Sequence, residues 1–197
     1  MSEQFKGKKE QFTERPKLNI PLLLVLLAAT LAIVGVGVAL PAFLKPNLVS
    51  EEYLGEPVAS PRSYVGRVVS MTPIKPVVSE GQIKFPLAIV DKYHIVFFEL
   101  QNDQGFQVPL MAYITPTGRL FAGSSMCEPC RGRTFSLAGE TLVCDTCRTT
   151  YTIEGRKFIS GAAICGTYPP VDMNPVVKDG MVIIDQQKVL SWRIRAL

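Results

Sequence analysis

The sequence predicts an all-β fold: a small β-sandwich or barrel with a metal-binding knuckle subdomain, preceded by one N-terminal transmembrane helix. Three features carry that expectation. Residues 18–44 are 27 positions without a charge, 21 of them apolar, which exceeds the ~20 residues a helix needs to cross a bilayer. From Gly81 onward, short β-branched and aromatic runs alternate with turn signals, the texture of short strands. Four of the five cysteines form two C-x2-C pairs separated by thirteen residues, a spacing that gathers four thiols around one centre.

The elements follow in chain order. Residues 1–17 carry Lys6, Lys8, Lys9, Arg15 and Lys17, whereas the 20 residues after the apolar run carry only Lys45 and Arg62. The positive-inside bias makes 1–17 a cytoplasmic tail and 18–44 a single-pass helix in the cytoplasmic (plasma) membrane, with the C-terminal domain outside. Pro21 and Pro41 fall near the ends of the run, where a lost backbone hydrogen bond costs least. A cleaved signal would have an apolar core of ~7–15 residues and a small-x-small site. This run is longer, the stretch Ala39-Leu40-Pro41-Ala42 offers no such site, and no cysteine follows closely to take a lipid, so the helix is expected to stay as an anchor. Residues 45–80 hold Pro46, Pro57, Pro61, Pro73 and Pro76 with Glu51, Glu52 and Glu56, and read as a proline-rich tether.

Residues 81–197 read as the extracytoplasmic β-domain. Strands are expected at 83–90 and 93–100. The turn Asn102-Asp103-Gln104-Gly105 leads into a hairpin partner at 106–114, in which Pro109 points to an edge or a bulge. Strands at 133–137 and 141–143 flank Ala138-Gly139-Glu140, a second hairpin. Lys178-Asp179-Gly180 marks a tight hairpin inside 176–184, and 189–195 reads as a last strand. No amphipathic helical pattern stands out.

Composition excludes several classes. The chain of 197 residues is 47% apolar and 19% charged, too apolar for a disordered chain. Residues 45–197 hold 16 basic and 14 acidic side chains, a net +2. That balance, without a basic run interleaved with aromatics, gives no reason to expect a nucleic-acid partner.

The chemistry lies in Cys127-Glu128-Pro129-Cys130 and Cys144-Asp145-Thr146-Cys147. Two residues between thiols let both sulfurs of a turn face one ion, and the thirteen-residue connection lets a second turn fold over the first into tetrahedral S4 coordination. Zinc ribbons and single-iron sites share this spacing, and four thiolates suit zinc, iron or an iron–sulfur cluster alike. A c-type haem needs C-x-x-C-H, but Arg131 and Arg148 follow the pairs. A thioredoxin-like pair needs a βαβ context, which is absent. Disulfides are the competing expectation for a domain outside the membrane. Arg131, Arg133, Arg148, Arg156 and Lys157 lie close to the pairs in sequence, either to offset thiolate charge or as solvated strand ends. Cys165 has three open roles: alternative ligand, redox-reactive thiol or buried small hydrophobe. His94, the single histidine, reads as a strand residue before it reads as a ligand. Met126 beside Cys127 suits copper or plain packing.

The chain also resembles a known family. Gly81-Gln-Ile-Lys-Phe-Pro-Leu, Val96-Phe-Phe-Glu-Leu, Thr117-Gly-Arg-Leu-Phe-Ala122, the two cysteine pairs, with Leu142-Val143 before Cys144, and a later Gly-Cys-type segment near prolines (Cys165-Gly166-Thr-Tyr-Pro169) look like the FtrD-like membrane iron–sulfur proteins, over roughly residues 80–185. Members of that family usually lead into the first pair with Ala-x-x-Ala-Cys and carry Gly-Gly-Cys-Asn-Pro near the end; here Ala122-Gly-Ser-Ser-Met-Cys127 and Ala163-Ile-Cys165-Gly166-Thr-Tyr-Pro169 stand instead. Some members of that family are associated with iron uptake. A weaker resemblance joins Tyr151, Gly155, Phe158, Gly161, Gly166 and Pro169-Pro170 to the tail of Rieske domains, with cysteine in both histidine places; it implies a Rieske-like scaffold of lower potential.

The resemblance implies an iron–sulfur cluster or mononuclear iron, for which the spacing offers Cys127, Cys130, Cys144 and Cys147; zinc is the alternative the spacing leaves open, and Cys165 is a candidate further ligand from its own position in the sequence. The function expected is electron transfer to or from a membrane protein partner, a redox or transport complex, with metal uptake as one setting for it. A structural zinc-ribbon binding module and a metal-ion carrier are the alternatives. No catalytic dyad appears, so a redox or metal-binding subunit is expected over an independent enzyme.

Overall fold

A computed structural model describes residues 54–196, all of them within the compact unit Glu51–Leu197. The expected cytoplasmic tail and transmembrane helix lie outside the described residues. Among the described residues no helix is long and apolar enough to cross a membrane.

Among the described residues, thirteen strands and three short helices run in the order β1 (Val68–Ser70), β2 (Thr72–Pro73), β3 (Val77–Ser79), β4 (Gln82–Pro86), α1 (Leu87–Tyr93), β5 (Ile95–Gln101), β6 (Gln107–Ile114), β7 (Leu120–Ser124), β8 (Phe135–Ala138), β9 (Thr141–Cys144), β10 (Thr150–Thr152), β11 (Phe158–Ser160), α2 (Ala163–Gly166), β12 (Val176–Lys178), β13 (Met181–Asp185) and α3 (Gln186–Ser191). They form three sheets, ordered β2-β5-β6-β7, β12-β13-β4-β3 and β1-β8-β9-β10-β11. All pairings are antiparallel except β2 with β5.

The β2-β5-β6-β7 sheet is buried on both faces, and the period of two along its strands decides which side chain serves which core. Val96 and Phe98 of β5, Val108, Leu110, Ala112 and Ile114 of β6, and Leu120 and Ala122 of β7 join Ile83 and Phe85 of β4 and Val182 and Ile184 of β13 in one core. The intervening Ile95, Met111, Tyr113 and Phe121 join Phe135, Leu137, Leu142 and Tyr151 of the third sheet in the other. The second core also contains Cys127, Cys144 and Cys165. The middle sheet is therefore the floor on which the cysteine-bearing sheet is laid. Burial on both faces explains why β6 reads in sequence as an almost unbroken apolar run. The arrangement is mostly β, as expected, and takes the form of sheets stacked on two cores rather than a closed barrel.

Several local expectations change. The expected strand 83–90 ends at Pro86, whose φ of −64° and ψ of 133° turn the chain into α1. Helix α1 ends on His94, at φ 68°, so the next strand begins at Ile95 rather than at residue 93. Pro109 lies on an interior strand, opposite Glu99 of β5. The β7 ladder stops one residue short of it, at Leu110 with Ser124, so its missing N–H breaks no pairing on that side. The expected last strand 189–195 gives way to α3, capped by the Asp185 carboxylate, which accepts from the Gln187 N–H at 2.9 Å. Part of the expected tether is structured: β1 pairs with β8, β2 with β5, and β3 with β4. Tyr64 is buried, its hydroxyl donating to the Ile114 carbonyl at 2.6 Å. Proline density in 45–80 marked irregular chain, and irregular chain here still packs. The hairpin at Asp179-Gly180 forms as read, with both turn residues at positive φ and Lys178 opposite Met181.

Candidate metal centre

The first cysteine turn leaves the end of β7 and the second leaves the end of β9, and the two are built alike. Cys127 N–H donates to the Gly132 carbonyl at 2.8 Å, and Cys144 N–H donates to the Thr149 carbonyl at 2.9 Å, each bond closing over five residues. The residue after each second cysteine, Arg131 and Arg148, takes φ 61°. This left-handed step turns the chain back on itself so that both thiols face inward. In the first turn the Gly132 N–H donates to Cys130 Sγ at 3.4 Å; in the second, Cys147 Sγ donates to Thr149 Oγ1 at 3.1 Å. Gly132 is required by the contact between the turns: a Cβ there would lie 2.7 Å from Thr146 Oγ1 and 3.0 Å from Cys144 Sγ.

The folded turns bring the sulfurs together across the pairs. Cys127 Sγ is 3.8 Å from Cys147 Sγ, and Cys130 Sγ is 3.8 Å from Cys144 Sγ. A tetrahedral ion about 2.3 Å from each thiolate separates its sulfurs by about 3.8 Å, so the donor set fits a single ion. The set of sulfurs lying within 4.8 Å of one another comprises Cys127, Cys130, Cys147 and Cys165. Cys144 stands beside that set through Cys130. All five thiols are unbridged. Cys127, Cys144 and Cys165 are buried, whereas Cys130 and Cys147 are half-buried and form the solvent edge of the cluster.

Shared protons set the electrostatics. Cys127 donates toward Cys144, which together with burial holds Cys127 well above the ordinary thiol range. The Cys144 thiolate gains that hydrogen bond and backbone N–H bonds from Cys147 and Thr146, and falls to about 5 against the cost of burial. Burial raises Cys130 to about 11. Burial also acts against the Cys147 thiolate, but once deprotonated the sulfur accepts from the Thr149 hydroxyl and N–H, which outweighs burial and lowers its pKa. The lowered Cys144 and Cys147 thiols favour metal uptake, because ligands must lose their protons.

The other sequence candidates separate. Cys165 sits on α2 and reaches the cluster. His94 does not join it; its ring meets Tyr64 edge-on at 5.7 Å. Met126 is buried in the other core, away from the cysteine layer. Arg133 pairs with Glu99 and donates to the Gln107 carbonyl. Arg156 is buried, its guanidinium 4.3 Å from the Phe121 ring centre.

Sequence reasoning missed Glu128 and Arg195. Glu128, between the cysteines of the first turn, is fully buried. It accepts from Arg195 N–H at 2.6 Å and from Arg195 Nε at 2.8 Å, while Arg195 Nη2 also donates to the Pro169 carbonyl at 2.8 Å. The C-terminal segment is thereby pinned to the first turn and to the chain just after α2. The partners lie 67 residues apart, so no local spacing signals them. Nothing in the sequence signalled the bond by which the Tyr151 hydroxyl donates to the Cys165 carbonyl at 2.6 Å.

Comparison with curated proteins finds no significant match, and comparison with solved structures finds none. The family model for membrane iron-sulfur containing proteins of FtrD-like type matches residues 90–195, more than half of the chain, and takes in every cysteine. On that match, the chain belongs to the FtrD-like family of membrane iron–sulfur proteins.

Proposed function

We propose that this protein is a membrane-anchored electron carrier whose β-domain, outside the cytoplasmic membrane, holds iron on Cys127, Cys130, Cys144 and Cys147. The observation that carries the reading is the pair of 3.8 Å sulfur–sulfur approaches between the two cysteine turns, which match the edge of one tetrahedral thiolate site. Membership of a family described as membrane iron–sulfur proteins supports iron. Iron held there supplies a one-electron couple. The chain's own residues define the rest: Cys127 and Cys144 set the buried side, and Cys130 and Cys147 present the edge through which a partner is reached. Ligation by sulfur alone, where Rieske domains use two histidines, favours a low potential. Residues 18–44 keep the domain beside a membrane partner, a redox or transport complex.

Structural zinc, with the domain serving as a binding module, is the second reading, because the same 3.8 Å edge suits a zinc ribbon. Metal analysis and visible absorption of the purified full-length protein decide between them. Iron, with an absorption that bleaches on reduction and returns on oxidation, is expected. Stoichiometric zinc with no visible band would sink electron transfer and leave the zinc module standing.

A further inference from the structure

We propose that Cys165 is a fifth ligand residue, an alternative to Cys144 for the fourth place beside Cys127, Cys130 and Cys147. The inference rests on the thiolate metal centre described above and goes beyond it in giving that centre two ligand sets that share three sulfurs.

The first argument is position. Cys165 Sγ lies within 4.8 Å of the Cys127, Cys130 and Cys147 sulfurs, all four mutually within that distance, whereas Cys144 does not join Cys165 in that group. A tetrahedral site seats four sulfurs. With Cys144 3.8 Å from Cys130, the fold supplies five thiols for four places.

The second argument is how firmly the chain fixes Cys165 there. Helix α2 is a single turn, too short to hold a position by itself. The segment is set down on the second cysteine turn at Gly161, φ 106°, where a Cβ would lie 2.6 Å from Thr149 Cα. Ala162 N–H donates to Thr149 Oγ1 at 3.3 Å, the same hydroxyl that receives Cys147 Sγ. Tyr151 donates to the Cys165 carbonyl, and Arg195 holds the Pro169 carbonyl while gripping Glu128 of the first turn. Both cysteine turns are thus tied to the segment that bears Cys165.

Exchange between the two sets is balanced. Cys165 gives up its thiol proton on binding and Cys144 takes one on release, one metal–sulfur bond forming as one breaks, with no oxidant or reductant.

The test uses the full chain in detergent with Co(II) as the probe, since the intensity of its bands counts thiolates in a tetrahedral site. Cys144→Ser and Cys165→Ser are each expected to keep the four-thiolate spectrum. The double variant is expected to show a three-thiolate spectrum and Co(II) affinity weaker on the order of 10–100-fold, at least what losing an outer-shell partner costs. Either single variant matching the double variant overturns the inference while leaving the metal centre intact. Wild-type protein that takes up no Co(II) overturns the centre itself, and the inference with it. A second measurement needs no substitution: NMR of the cadmium-loaded wild-type chain is expected to show proton–cadmium coupling to the β-protons of both Cys144 and Cys165. Coupling to only one of them overturns the inference even if a serine variant fails to fold.

Discussion

Glu128 shows what a single residue contributes around the thiols. Its side chain is 1% exposed, and the opposing Arg195 guanidinium, 38% exposed, approaches it to 2.7 Å. Two charges leaving water cost several kcal/mol apiece, and a close pair recovers that only while both partners stay. Arg195→Met removes the partner, together with the guanidinium that lies 5.1 Å from the Tyr168 ring centre, and keeps an unbranched side chain. It is expected to lower the stability of the metal-free chain by about 3 kcal/mol, because Glu128 is left buried and unpaired. Adding Glu128→Gln should recover part of the loss. Denaturant unfolding of the three proteins checks this. A loss within about 0.5 kcal/mol, the size of an ordinary surface change, would mean that water already reaches Glu128. At this scale the sequence was legible where chemistry is local: two residues between thiols fix a turn, so four cysteines announce a centre. Cys165 could be named only as one of several options, and Glu128 was not legible, since their roles depend on chain that returns from 18 and 67 residues away.

Elements were legible where periodicity and turn chemistry agree. The hairpins at Gly139 and at Asp179-Gly180 form where glycine supplies the positive φ that a tight turn demands. They were misread where apolar content ran on past a backbone signal. Residues 83–90 look like one strand until Pro86 is given its due, and 189–195 look like a strand until Asp185 is recognised as a helix cap. The paired cysteine turns are the element on which function depends, and Gly132 is their contact point. Gly132→Ala would push a methyl against Thr146 and Cys144 Sγ at distances real Cβ atoms avoid, separating the turns. The expected outcome is metal affinity reduced about 10–100-fold, the range for disturbing the shell behind a ligand, with secondary structure retained by circular dichroism. Competition with a chelator measures it. Unchanged affinity would show that the second turn gives way at no cost, and that the 3.8 Å approaches do not depend on close contact of the turns.

On the scale of the whole molecule, the question is which side of the membrane the thiols face. The family is described as one of membrane proteins, and the five basic residues of 1–17 against the two at Lys45 and Arg62 favour an N-terminus in the cytoplasm. That orientation puts five unbridged cysteines where oxidation competes with metal binding. The fold supplies a partial answer to the competition, because Cys127, Cys144 and Cys165 are buried and only Cys130 and Cys147 meet solvent. An oxidant entering at that edge meets sulfurs from different turns, so a disulfide there ties the two turns together and removes half the site. Retention of the metal is then what keeps the thiols reduced. Two outcomes follow if the domain is outside. A C-terminal alkaline phosphatase fusion should be active while a fluorescent-protein fusion stays dark. A membrane-impermeant maleimide should label Cys130 and Cys147 in intact cells only after a chelator has stripped the site. Reversing the basic bias, by substituting the five N-terminal Lys and Arg residues with Gln and adding Lys after residue 44, should invert both reporters. Labelling that appears only after lysis would place the domain in the cytoplasm, where reducing conditions make protection by metal unnecessary and the argument for it fails.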